Sequence, residues 1–141
     1  MKIPQCNLEL YQGNDDIFVL NVEDVDNEGN KTPSNLSGYT FILRVRESPS
    51  KPVVLELSSE NGYISCGTID ASGNFTEASN EVVPYAIQLH FPHEGTEKLI
   101  ASRYEYDLFG INLDGIREVL LKGELKVVRS IVYGKNYSQY C

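Results

Sequence analysis

Residues 103–132, RYEYDLFGINLDGIREVLLKGELKVVRSIV, contain the pattern that decides the fold. Apolar and polar residues alternate over 103–108 and again over 123–127, on either side of Asp114-Gly115. A period of two is typical of a strand with one buried face. Asp-Gly between two such runs favours a tight hairpin, because Gly readily adopts the positive φ of the turn. The apolar phase slips next to Gly110, which predicts a β-bulge there.

Shorter apolar or alternating segments precede this hairpin, and turn-forming residues separate them. The predicted strands are 6–10, 17–24, 39–46, 53–57 (with Val53 inward), 63–66 and 85–91. Residues 67–81 are predicted to form a mobile hairpin with Ser72-Gly73-Asn74 at its tip. Residues 92–101 show helical spacing for one turn or two at most. The pattern predicts an antiparallel sandwich or barrel.

The inward phases of the strands predict one shared core. Its predicted members are Phe18, Phe41, Leu43, Leu89, Tyr106, Leu108, Leu125 and Val127. Two inward tyrosines of the hairpin, Tyr104 and Tyr106, are open to two interpretations. They line a ligand groove, or they are core residues whose hydroxyls reach backbone carbonyls, and the second interpretation is favoured.

Composition limits the classes of function. A chain of 141 residues has room for one domain. Its 12 basic and 20 acidic residues give a net charge of -8, which argues against nucleic-acid binding because that binding needs clustered Lys and Arg. No apolar run approaches the roughly twenty residues needed to span a bilayer. The N-terminal residues do not resemble a signal peptide, so we expect either a mature chain that begins at Met1 in the cytoplasm or a leader missing from this sequence.

Three cysteines, Cys6, Cys66 and Cys141, are odd in number and widely spaced. Such spacing does not indicate a disulfide framework, so the sequence predicts thiols in a reducing compartment. There is no C-x-x-C pair or histidine at ligand spacing, which argues against zinc.

Acidic residues in two places have the chemistry of cation ligands. The run from Asp24 to Gly29 resembles the start of a calcium loop, but Asn35 stands where the bidentate Glu is required. Asp15, Asp16 and Asp114 hold a cation only if the fold brings them together, and solvated loops are the favoured interpretation.

His90 and His93 are the only candidates for a catalytic histidine. His90 lies on the polar phase of its strand, His93 lies in a turn, and no G-x-S-x-G elbow is present. Exposed histidines without a catalytic role are therefore expected. The sequence predicts no catalytic, cofactor-binding or metal-binding residue, no small-molecule substrate and no enzymatic activity.

Several short patterns occur in an order and spacing that resemble one known family. They are Gln12-Gly13-Asn14-Asp15, the turn 26–30, Asn35-Leu36-Ser37-Gly38 leading to Arg44 and Arg46, Tyr104-Glu105-Tyr106-Asp107-Leu108, and Leu120-Leu121-Lys122-Gly123-Glu124-Leu125-Lys126-Val127. Together they cover residues 8–132. The chain resembles the immunoglobulin-like β-sandwich modules of tailed-phage structural proteins, such as the N-terminal domains of baseplate upper proteins and of tail-fibre attachment proteins.

The resemblance implies an all-β, antiparallel immunoglobulin-like sandwich of about seven to nine strands, with at most one short helical turn near 92–101. It implies a non-enzymatic virion protein made in the host cytoplasm, a connector, completion or attachment subunit of the tail, baseplate or fibre region. Its partners would be other virion structural proteins and copies of itself, without nucleic acid, membrane or cofactor. The alternatives are a secreted bacterial adhesion or glycan-binding sandwich and a small hydrolase-like or lipocalin-like barrel.

Residues 1–132 are predicted to form a single sandwich domain, and residues 133–141 a C-terminal arm. The arm is polar but contains Tyr133, Tyr137 and Tyr140, and tyrosine is enriched at protein interfaces. We therefore expect these three tyrosines to bind a partner subunit.

Overall fold

The computed structural model describes residues 5–77 and 82–129, which form two packed β-sheets, a separate two-stranded hairpin and one helical turn. The bounds in chain order are β1 Leu8–Tyr11, β2 Asp16–Asn21, β3 Glu23–Val25, β4 Lys31–Pro33, β5 Thr40–Arg46, β6 Val53–Ser58, β7 Ile64–Ile69, β8 Phe75–Glu77, β9 Ala86–Phe91, α1 His93–Thr96, β10 Arg103–Ile111 and β11 Arg117–Val128.

The strand order defines an immunoglobulin-like β-sandwich. One sheet has the order β1-β11-β10-β5-β6 and the other β2-β9-β7-β8, while β3 pairs with β4 alone. The nine strands of the two sheets agree with the predicted number, and α1 lies where the helical turn was expected. The prediction of a purely antiparallel fold is wrong at one pair, since β1 runs parallel to β11. After Tyr11 the chain leaves this sheet and enters the other one as β2. The parallel strands β1 and β11 end at the same level, where the Gln12 N–H donates to the Val128 carbonyl at 2.8 Å.

The β10–β11 hairpin forms as predicted. Its register shifts between Leu108 and Phe109, at the expected bulge. A Cβ on Gly110 would lie 2.9 Å from Leu120 Cδ1 and 3.1 Å from Tyr39 Cδ2. The absence of a side chain at Gly110 therefore gives the Leu120 and Tyr39 side chains room to pack beside the bulge.

The core also agrees with the prediction. All eight predicted core residues are buried, and they belong to one continuous apolar cluster between the sheets. The predicted inward phase of β6 is only partly right, because Leu57 is fully buried but Val53 is 38% exposed. The register with β5 shifts between Val45 and Arg46, so Val53 pairs with Arg46 and lies on the outer face, whereas Leu55 pairs with the buried Val45.

Tyr104 and Tyr106 are core residues, as favoured from the sequence. Tyr104 is buried and its hydroxyl donates to the Ile100 carbonyl at 2.9 Å. The Tyr106 hydroxyl donates to the carbonyl of Cys6. Burial raises the pKa of both phenols, so both remain protonated donors.

Three hairpins share one turn, which begins at Asp26, Asp70 and Asn112. In each, the side-chain oxygen of the first residue accepts the N–H groups two and four positions on, and Gly at the fourth position has φ between +79° and +86°. This combination of an Asx turn and a left-handed Gly fixes the turn locally. The predicted tip at residues 72–74 belongs to the second of these turns.

Candidate interaction surface

The three aspartates considered as cation ligands do not come together. Asp114 lies in the β10–β11 turn, beside the start of β5, whereas Asp15 and Asp16 begin β2 at the opposite end of the sandwich. Asp16 is buried, and its Oδ2 accepts the Tyr11 N–H at 3.0 Å. Within residues 5–77 and 82–129, no three His, Cys, Asp or Glu side chains are arranged to hold a metal ion.

Asp15 instead joins both histidines of the chain. Its Oδ1 lies 3.1 Å from His90 Nε2, and its Oδ2 lies 3.0 Å from His93 Nδ1. The His93 N–H donates to Asp15 Oδ1 at 2.9 Å. The histidine side chains are exposed, 38% for His90 and 51% for His93, as expected from the sequence. The pairing ties the β1–β2 turn to the end of β9 and the start of α1.

The charges of this cluster stabilise one another. The backbone N–H of His93, followed by the His90 side chain, lowers the pKa of Asp15 to about 2. The side-chain hydrogen bond that Asp15 accepts from His93 raises the pKa of His93. Glu94 Oε1 also lies 3.6 Å from His93 Nε2, and the Tyr63 ring packs edge-on against His90, so the cluster links several groups at this end of the sandwich.

The Gln12-Gly13-Asn14-Asp15 motif holds the same end of the sandwich together. Gln12 Nε2 donates to the Leu99 carbonyl at 2.7 Å, and the Gly13 N–H donates to Thr96 Oγ1 at 3.2 Å. The Thr96 hydroxyl, which is fully buried, donates to the Asn14 carbonyl. These contacts give the motif a structural role.

The cysteine prediction needs correction. Cys6 is disulfide-bonded, whereas Cys66 is a free thiol on β7. Burial raises the pKa of the Cys66 thiol to about 11, so this cysteine is an unreactive thiol near neutral pH. The odd cysteine count misled the prediction because it does not exclude one disulfide and one free thiol.

Apolar side chains are exposed mainly at the end of the sandwich opposite Asp15, which we call the turn end. We define it as residues 22–35, 68–76, 82–85 and 112–116, the segments beyond the paired positions Asn21, Ala86 and Gly67 and beside Thr40. Five of the ten large apolar side chains that are exposed in the described residues lie there. They are Val25, Val82, Val83, Leu113 and Ile116, with exposures from 51% to 81%.

Side-chain hydrogen bonds fix the backbone of the turn end at its hairpin turns. All three Asx turns belong to it. Leu113 and Ile116 flank Asp114-Gly115 in the third turn, where Asn112 Oδ1 accepts the N–H groups of Asp114 and Ile116 at 2.9 and 3.0 Å. A fixed backbone presents apolar groups to a partner at a low entropic cost. The sequence does not predict this surface, because Leu113 and Ile116 flank a turn and belong to no apolar pattern. The only sequence signal for the three turns of this surface is the repeated spacing D/N-x-x-G-x.

A shallow cleft of about 240 Å³ lies on the outer face of the five-stranded sheet, lined by Asn7, Glu9, Arg103, Glu124 and Lys126 among others. Arg103 and Glu124 already pair across it at 2.6 Å. Two of the charged side chains that line the cleft are therefore already paired with each other, and Asn7 Oδ1 accepts the Glu124 N–H at 3.0 Å.

The predicted partner-binding residues Tyr133, Tyr137 and Tyr140, and the whole arm 133–141, lie outside the described residues. In the part of the chain that is described, no helix is long and apolar enough to cross a membrane.

Comparisons with known proteins add a coarse similarity of fold. No protein-family model matches the chain, and no curated protein matches it. Among solved structures, AggA, the major subunit of aggregative adherence fimbriae type I from Escherichia coli, is 10% identical at a TM-score of 0.35 over 89% of this chain and 90% of its own. A complex of ICOS with ICOS-L and a VNAR domain is 9% identical at a TM-score of 0.32 over 91% of this chain and 56% of that chain.

A family 123 glycoside hydrolase from Clostridium perfringens is 10% identical at a TM-score of 0.32 over 92% of this chain and 24% of that enzyme. Similarities at this level carry no information about function.

Proposed function

We propose that this chain is a non-enzymatic structural protein of a tailed-phage virion, a connector, completion or attachment subunit of the tail, baseplate or fibre region. It acts through contacts with other virion proteins and with its own copies. The observation that carries the proposal is the turn end, where five large apolar side chains are exposed and hydrogen bonds fix the turn that holds Leu113 and Ile116. Clustered exposed apolar groups on a stable domain are typical of a protein interface.

The family-like motifs occupy positions that hold the sandwich together. The 12–15 motif anchors the β1–β2 turn to Leu99 and Thr96. Gly123, in the motif of the last strand, lies opposite Tyr106, in the motif of β10, and allows the Cys6 carbonyl to reach the Tyr106 hydroxyl. The motifs thus have structural roles in a sandwich of the proposed kind, and the virion assignment itself rests on the sequence resemblance.

Incorporation into particles tests the proposal. Particles would be purified from a lysate of the host that produces this chain, and the chain would be measured in them by quantitative mass spectrometry. We expect it at a fixed copy number per particle. In the variant Leu113→Glu/Ile116→Glu the copy number should fall at least about tenfold, because a partner would have to bury two charges.

The matched control is Ile100→Glu. Ile100 is 72% exposed, comparable with Leu113 at 81%, but it lies near α1 at the other end of the sandwich. This variant should be incorporated like the original chain. A chain that is absent from purified particles would refute the virion role. Equal incorporation of both variants would refute the turn end as the interface.

The second candidate, a secreted bacterial adhesion or glycan-binding domain, is favoured by the disulfide at Cys6, since stable disulfides belong to oxidising compartments. Intact-mass analysis after alkylation, with the protein taken directly from producing cells, separates the candidates. Oxidised Cys6 in an exported fraction supports the secreted domain. Reduced Cys6 in the cytoplasmic fraction, followed by recovery in particles, supports the virion protein.

A further inference from the structure

The four edges of the two sheets are not equally open to another strand. β6 is closed by Asn61, whose Nδ2 donates to the Glu56 carbonyl at 3.2 Å and whose Oδ1 accepts the Ser58 N–H at 3.0 Å. Those two backbone groups are the ones that an added strand would bind. The Asn61 amide thus takes the place of a neighbouring strand, which is a known way to protect an edge.

Two further edges are short or partly blocked. Among the described residues, which stop at Glu77 on this side, β8 has three residues. In β1, Cys6 and Gln12 donate to β11, so by alternation Glu9 and Tyr11 direct their backbone groups outward. The Tyr11 N–H is taken by Asp16 Oδ2 at 3.0 Å, which leaves Glu9 as the one open residue of this strand.

The edge of β2 is open along its whole length. The His90 N–H donates to the carbonyl of Tyr63, the residue that precedes β7. Residues 86, 88 and 90 of β9 therefore direct their backbone N–H and carbonyl groups toward β7, and residues 87, 89 and 91 direct theirs toward β2. The register then directs the backbone groups of Phe18 and Leu20 toward β9, and those of Ile17, Val19 and Asn21 away from it. Among the residues that the structure describes, these three outward positions have no backbone partner.

Charge at one end of this edge selects the occupant. Asp15, which precedes β2, is already paired with His90 and His93, whereas the β3–β4 hairpin that follows β2 contains Glu23, Asp24, Asp26 and Glu28 against Lys31. A second copy paired antiparallel about Val19 would set its Asp15 opposite Glu23 and so bring no Lys or Arg to this acidic flank. An extended segment with a basic residue at the end that meets Glu23 has the complementary charge.

We propose that the β2 edge is a strand-addition site for an extended segment of a partner protein, with β-branched residues at its centre and Lys or Arg at the end that meets Glu23. Main-chain hydrogen bonds to Ile17, Val19 and Asn21 supply the pairing, and the acidic flank at Glu23 supplies the selectivity. The outer face beside the new strand is apolar, since Ile17 is 41% exposed and Val19 is half-buried. This site does not depend on the proposed virion role.

The test uses the full chain and two synthetic peptides, acetyl-KVTVTVK-amide and acetyl-EVTVTVE-amide. Backbone amide exchange is measured by NMR with and without peptide. The lysine peptide should slow exchange at Ile17, Val19 and Asn21 by about tenfold or more, and the glutamate peptide should not. The protection should weaken as salt is added, because the flanking charges are exposed.

Two variants locate the site. Val19→Pro removes an outward N–H and leaves the β9 ladder intact, so it should abolish protection by the peptide. Glu23→Gln changes one exposed flank without touching the ladder and should reduce the advantage of the lysine peptide several-fold. Glu60→Gln, the same charge change on an exposed residue of the β6–β7 connection, should leave it unchanged.

Several outcomes would overturn the proposal. One is equal protection by both peptides, and another is protection at Glu9 or β8 in place of β2. A third is slow exchange of Ile17, Val19 and Asn21 in the free chain. If that exchange is independent of protein concentration, the chain itself covers the edge, and if it depends on concentration, a second copy does. Failure here leaves the particle-incorporation experiment unaffected, because that experiment probes Leu113 and Ile116.

Discussion

Replacing Gly123 by alanine should displace the first strand of the sandwich. An added Cβ would overlap the carbonyl oxygen of Cys6 and would lie 2.7 Å from its carbonyl carbon and 3.2 Å from Cε1 of Tyr106. The obstacle is mainly backbone, which cannot rotate away as a side chain does. β1 must therefore move, and Leu8 and Leu10, both buried, move with it.

The expected cost has two parts. Overpacking at a buried position costs about 1–3 kcal/mol. Loss of the buried Tyr106 hydrogen bond to the Cys6 carbonyl adds about 1 kcal/mol. We expect Gly123→Ala to lower the free energy of unfolding by about 2–4 kcal/mol, which for a chain of this size lowers Tm by about 8–15 °C.

Chemical denaturation of four chains tests this mechanism: the original, Gly123→Ala, Tyr106→Phe and the double variant. In the original chain, Tyr106→Phe should lower the free energy of unfolding by about 1–3 kcal/mol, because it removes the hydrogen bond to the Cys6 carbonyl. If Gly123→Ala has already broken that bond, the same Tyr106→Phe change should cost much less in the double variant. Lys122→Ala, an exposed neighbour, should stay within about 0.5 kcal/mol of the original. A Gly123→Ala chain as stable as the original, or strictly additive costs, would refute the reasoning.

Three further predictions concern the core, the ion-pair cluster and metals. Phe41→Ala and Leu108→Ala should each cost about 2–5 kcal/mol in denaturant unfolding, since both side chains are fully buried, and an unchanged midpoint would contradict the strand phases. The stabilising effect of Asp15 is lost as pH falls from its ordinary pKa of 3.8 toward about 2, and that of His93 is lost as pH rises through a pKa raised above 6.5. The Tm difference between the original chain and Asp15→Asn should therefore be largest at about pH 4–6.5 and shrink on both sides, whereas a difference independent of pH would exclude the ion pairs as its source. A chelator should leave Tm unchanged, and a fall of several degrees would indicate a structural metal.

The sandwich was predictable because its strands are regular. Alternation gave the inward phases of β5, β9, β10 and β11 correctly, and the phase slip near Gly110 marked the bulge. Asp114-Gly115 marked the hairpin turn, where Gly115 has φ +79°. These signals are local, so neighbouring residues suffice to produce them.

Features that depend on distant pairing were not predictable. The parallel β1–β11 pair joins segments more than a hundred residues apart, and no local pattern encodes it. The pairing of Asp15 with His90 and His93 likewise needs the β1–β2 turn to meet the end of β9. The exposure of Val53 follows from the register shift between β5 and β6, which places it opposite Arg46 and which alternation alone does not reveal.

The two proposed surfaces are continuous, and this continuity favours a single partner. β2 leads directly from its open edge into the β3–β4 hairpin, which carries Val25 at the turn end. A segment added along Ile17, Val19 and Asn21 would therefore arrive beside that hairpin, where the acidic flank and the exposed apolar side chains meet. An added strand alone forms few hydrogen bonds, and an apolar patch alone does not fix the orientation of a bound partner. Together they supply the orientation and the buried area that a specific contact needs.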